Sequence, residues 1–89
     1  MIIQPTMLNT SSAIEIQIQE NSGTMVIKYN PQTDRTIYDL CDLNGRVIQT
    51  GPIHQEETVL DISSLSARKY VMLIVDGDRV ISQRVTLAA

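Results

Sequence analysis

The residues able to do chemistry in this chain are few and scattered. His54 is the single histidine. Asp61, Ser63 and Ser64 follow it closely enough to invite a hydrolytic reading. A triad needs a nucleophile beside the imidazole and an acid that orients it, and these serines lack the sharp strand-turn-helix setting that exposes a nucleophile. His54 therefore reads as a loop histidine. Asp76 and Asp78 flank Gly77. Two carboxylates fall well short of the six to eight oxygens that calcium takes, so the segment reads as a hairpin turn. Asp39 and Asp42 read onto opposite faces of one strand, a poor arrangement for an acid/base pair. Glu56-Glu57 reads as a solvated loop end. The lone Cys41 has no second thiol for a disulfide or a metal site and reads as a small apolar strand residue. Asp61, just ahead of Ser63-Ser64, is placed to accept backbone N–H groups and order that turn. No glycine-rich phosphate cradle and no cluster of metal ligands is present. The expectation is a protein that is not an enzyme and has no cofactor and no metal.

The elements that hold these residues are short and extended. Over Ala13–Gln19, Ile14, Ile16 and Ile18 alternate with Glu15, Gln17 and Gln19, a period of two that places one face inward. Asn21-Ser22-Gly23 turns the chain into Thr24–Tyr29, with Met25, Ile27 and Tyr29 on one face. Asn30-Pro31 ends that strand, since proline cannot donate a ladder bond. Arg35–Leu43 is the third strand, with Tyr38 and Leu40 on one face and Asp39 and Cys41 on the other. Asn44-Gly45 predicts a type I′ hairpin with positive φ at both residues, leading into Arg46–Gln49. Gly51-Pro52 reads as a break. Glu57–Ile62, Tyr70–Val75 and Arg79–Leu87 complete the set, and Asp76-Gly77 joins the last two as a second hairpin. No segment keeps a helical period over ten residues.

About seven short strands with turn signals between them predict an all-β fold, an immunoglobulin-like antiparallel β-sandwich. The 89 residues fit one domain, 1–89, with residues 1–12 a poorly defined N-terminal segment. There is no Trp and no Phe, so Tyr29, Tyr38 and Tyr70 must supply the aromatic part of the core. The formal charge of −3 is spread along the chain. Without a basic cluster, nucleic acid is not an expected partner. No apolar run approaches the roughly 20 residues of a membrane-spanning helix. The sixth strand is apolar on both faces: Tyr70, Met72 and Ile74 on one, Val71, Leu73 and Val75 on the other. A two-sheet sandwich buries one face of a strand, so the second stripe calls for cover by a loop, a terminus or a partner.

The order of three motifs resembles a known family. Leu40-Cys41-Asp42-Leu43-Asn44-Gly45-Arg46-Val47-Ile48 is followed by Asp61-Ile62-Ser63-Ser64-Leu65-Ser66-Ala67-Arg68-Lys69-Tyr70, and the chain closes on Gln83-Arg84-Val85-Thr86-Leu87. This set resembles the C-terminal sorting domain of the type IX (Por) secretion system of Bacteroidetes, over roughly residues 24–87. The chain departs from the family at three places. Cys41 stands where an aromatic is usual, the glycine two residues before Tyr70 is replaced in Ala67-Arg68-Lys69, and Gln4-Pro5-Thr6-Met7-Leu8-Asn9 is a poor match to the usual opening. It resembles a divergent member.

The resemblance implies a secretion signal recognised by outer-membrane machinery, carrying a parent protein through the periplasm to the cell surface. In the family a surface enzyme then removes the domain and attaches the cargo to lipopolysaccharide. The alternatives are a sorting-type domain retained in a component of the secretion or attachment machinery, and an immunoglobulin-like adhesive or structural module. The implied partners are proteins of that machinery, met by pairing along an exposed strand edge. A homodimer through exposed edges is a further expectation. The residues expected to meet a partner are Tyr70, Leu73, Arg79, Arg84 and Val85. With no signal peptide at Met1-Ile2-Ile3, the chain reads as a piece of a longer exported precursor, or else as a cytoplasmic protein.

Overall fold

A computed structural model of the chain describes residues 14–19 and 22–87. The described residues form seven strands and no helix: β1 (Glu15–Gln19), β2 (Thr24–Lys28), β3 (Thr36–Cys41), β4 (Val47–Pro52), β5 (Glu57–Asp61), β6 (Lys69–Asp76) and β7 (Arg79–Thr86). The sequence places all seven, with ends within two or three residues. The expected opening at Ala13, the turn residue Asn21 and the N-terminal segment lie outside the described residues.

Two antiparallel sheets carry these strands. One has the order β1-β2-β5 and the other β4-β3-β6-β7. In a constant-type immunoglobulin domain the fourth strand completes the first sheet. Here β4 joins the second, giving three strands against four. The alternating side chains of both sheets meet between them. Ile16, Met25, Ile27 and Leu60 come from the smaller sheet, and Leu40, Met72, Ile74 and Val85 from the larger; all are buried. This is the period-two pattern of the sequence realised as a core.

Tyr38 and Tyr70 occupy distinct positions in this core. Tyr38 lies opposite Gly51 in the β3–β4 ladder. A Cβ on Gly51 would come within 2.8 Å of the Tyr38 ring. The glycine therefore sits inside the strand with the ring laid over it, rather than breaking it as its neighbour Pro52 suggests. Pro52 itself ends a strand at the sheet edge, where a missing N–H is tolerated. At the start of β6, the Tyr70 hydroxyl accepts the N–H of Ala67 at 2.8 Å. Such a tyrosine corner pins the sheet-to-sheet crossing between the fifth and sixth strands of immunoglobulin-like sandwiches.

The first hairpin differs from the type I′ expectation. Gly45 has φ of +87°, while no non-glycine described residue has positive φ, so Asn44 does not take part in a type I′ turn. Instead Gly45 N–H donates to Asp42 O at 3.0 Å and Asp42 N–H to Arg46 O at 2.9 Å. This is a three-residue loop with glycine in the left-handed position. The Asp42 carboxylate sets it by accepting the N–H groups of Asn44 (2.9 Å) and Arg46 (3.0 Å). A sequence rule built on Asn-Gly could not weigh that aspartate. Just beyond the turn, Cys41 pairs with Val47 and Leu40 with Gln49, leaving Ile48 as the extra residue of a β-bulge.

Candidate functional site

Asp76 is the charged residue of the innermost core, 1% exposed. It ends β6 on the inward face, two positions after Ile74. Its neighbours supply a donor for each lone-pair direction of the carboxylate. Oδ2 accepts the Tyr29 hydroxyl at 2.5 Å and the Gln32 N–H at 2.8 Å. Oδ1 accepts the hydroxyls of Thr33 at 2.7 Å and Thr36 at 2.8 Å. The Tyr29 bond, with those from Thr33, Gln32 and Thr36, outweighs burial and holds the carboxyl well below the usual carboxylate range. Burial, and next the bond to this carboxylate, push the Tyr29 hydroxyl above its ordinary value.

All four donors lie within residues 29–36, three on the connection that crosses from β2 in one sheet to β3 in the other and Thr36 as the first residue of β3. Asp76 is therefore a structural anchor between the sheets. Gly77 follows in the turn with φ of +61°, and a Cβ there would meet Thr33 Cγ2 at 3.0 Å. Asp78 is exposed, so the two carboxylates flanking Gly77 have unlike surroundings. The hairpin read from the sequence is present, but its two turn residues are Gly77 and Asp78 rather than Asp76 and Gly77, because Asp76 belongs to β6, pairs with Arg79 and faces inward. The signal was there: Met72, Ile74 and Asp76 share one parity, which puts the carboxylate on the core face.

The other chemistry-bearing residues are dispersed. Asp61 accepts the Ser63 hydroxyl at 2.6 Å and the Ser63 N–H at 2.9 Å, the turn-ordering role read from the sequence. These two bonds lower its carboxyl below the ordinary range. His54 is exposed in the β4–β5 connection. Cys41 is buried, and burial followed by Asp39 and Asp42 raises its thiol pKa. Among the described residues no group of three or more His, Cys, Asp or Glu could hold a metal ion. No described helix is long and apolar enough to cross a membrane.

The five residues expected to meet a partner separate into three placements. Tyr70 and Val85, 3% and 1% exposed, point into the core. Their side chains cannot reach a partner unless the sandwich opens, because a period of two sends Tyr70, Met72 and Ile74 inward together. Leu73 and Arg84 lie on the outer face of the larger sheet. Arg79 lies at the turn end of β7, opposite Asp76 in the ladder.

That outer face consists of cross-strand rows. Ile37, Val75 and Val80 form one, Asp39, Leu73 and Ser82 the next, and Cys41, Val71 and Arg84 the third. Val71, Leu73 and Val75 are half-buried by flanking strands, and Val80 is 64% exposed. The outer face of the smaller sheet differs, carrying Glu15, Lys28 and Glu57 in one row, with a loose ion pair of 3.8 Å between the last two.

Among the described residues, β7 closes the larger sheet and pairs with β6 alone. Leu87 N–H donates to Arg68 O at 2.7 Å on the β6 side. By alternation, the N–H and C=O groups of Val80, Ser82, Arg84 and Thr86 face away from β6 along the open edge.

This architecture defines the class, a two-sheet antiparallel β-sandwich with an open edge at its last described strand. No family model matches the chain, and no curated protein matches it.

Proposed function

We propose that this domain is a non-catalytic C-terminal sorting module of the type IX kind. Proteins of the outer-membrane machinery recognise it as it carries a parent protein to the cell surface. The observation that carries this reading is the edge of β7, a row of backbone groups with no strand partner among the described residues, beside the apolar outer face of β6. Edge pairing uses such groups for affinity and alternate side chains for choice. The ordered motifs support it too: Asp42–Arg46 forms the hairpin, Asp61–Ser63 the bonded turn, and Tyr70 opens the long strand that precedes β7. Leu73 and Arg84 are the side chains placed to take part, while Tyr70 and Val85 hold the strands in position from the core. A retained machinery component presenting the same edge is the alternative.

The test fuses residues 1–89 to a periplasmic reporter in a cell with a working type IX system. Export of the fusion, and its loss on Ser82→Pro, is the expected result. Proline at Ser82 removes an edge-facing N–H without touching the β6 ladder. A folded fusion that stays in the periplasm argues against the cargo role. Unchanged export of a folded Ser82→Pro fusion argues against edge reading.

A further inference from the structure

We infer that the outer face of the larger sheet is a self-association surface, on which a second copy of this chain packs face to face about a two-fold axis through the Val71–Leu73 stripe. The occupant follows from the charges on this face. Among the described residues its β3, β6 and β7 rows carry one acid, Asp39 on β3, and one base, Arg84 on the edge strand β7, with Lys69 at the margin beyond Val71. Asp39 and Arg84 lie two strands apart and one row apart, so about 12 Å separates them at ordinary sheet spacings. Their midpoint falls on β6 between Val71 and Leu73.

A two-fold axis in the plane of the face, bisecting that vector, sets Asp39 of one copy on Arg84 of the other, and the reverse. The same axis brings the two apolar stripes together. An isologous interface requires this self-complementarity. The smaller sheet offers no such face, since its outer rows are mostly charged or polar.

The area is modest. With the axis on β6, β4 overhangs and the three strands β3, β6 and β7, of about six residues each, overlap over about 300 Å² per copy, below the size of stable interfaces and in the range of weak, transient ones. The expected dimer is weak and concentration-dependent. It is distinct from edge pairing, because it leaves the β7 backbone groups open, and it does not depend on the export reading.

Sedimentation of the 89-residue chain over a concentration series tests it. Association in the micromolar-to-millimolar range is expected, weakened at least about tenfold by Arg84→Asp and by Asp39→Arg. The double variant, with the charges exchanged, should restore it. Circular dichroism of each variant should match the parent, since Arg84 is exposed and Asp39 half-buried at the surface. A monomer at every concentration up to about 1 mM overturns the inference. That includes the case in which residues 1–13 or a different protein covers the face. Single reversals without effect, or a double variant that fails to associate, overturn it equally.

Discussion

A single carboxylate carries much of the specificity of this core. Asp76 is buried and ionised, with four donors from within residues 29–36. Buried charge is tolerated where hydrogen bonds replace hydration. Because its folded pKa is depressed, the stability it contributes is whole above the ordinary aspartate value near 3.9. That contribution is lost as pH falls below this value toward the folded one. Denaturant melts across this range should show stability falling with acid, and Asp76→Asn should flatten that dependence while lowering stability at neutral pH. Tyr29→Phe removes one charge-assisted donor and should cost about 2 kcal/mol at neutral pH, read from the same melts.

The strands are set by alternation, while their junctions are set by contacts between distant residues. Gly51 shows the difference. By composition, Gly51-Pro52 is a break; in the ladder, Gly51 is the seat for the Tyr38 ring, supported by Thr50 Oγ1 donating to Tyr38 O at 3.0 Å. Gly51→Ala should overpack this contact and destabilise the domain by about 1–3 kcal/mol. Thermal unfolding measures it, and a variant as stable as the parent would mean that the ring shifts freely. The first hairpin teaches a similar lesson. Asn44-Gly45 announces a turn, but the Asp42 carboxylate selects its form by capping two backbone N–H groups.

For the whole molecule, the last strand is both edge and core. Val85 and Leu87 are buried between the sheets, while alternate residues of β7 face outward. Removing residues 85–89 should therefore cost at least about 3 kcal/mol through lost core contacts. In a 9.9 kDa domain with total stability of the order of 4–13 kcal/mol, that is a large fraction. Loss of export on such truncation would thus report unfolding as well as a lost signal, and circular dichroism of the truncated chain separates the two. Substitutions at the outward positions Ser82 and Arg84 probe the surface with the core intact.

By itself the amino-acid order determined the seven strands, which residues share a face in β1, β2 and β3, and the two-sheet class, because a pleated strand exposes alternate residues and apolar alternation survives in any antiparallel context. It also located the Asp61–Ser63 turn, whose bonds span two residues. Tertiary structure alone decided which sheet receives β4, that Tyr70 and Val85 are core rather than contact residues, and that Asp76 ties the crossing segment to β6. The four Asp76 bonds join residues 40 to 47 positions apart, and local periodicity carries no information about which distant donors converge on one carboxylate.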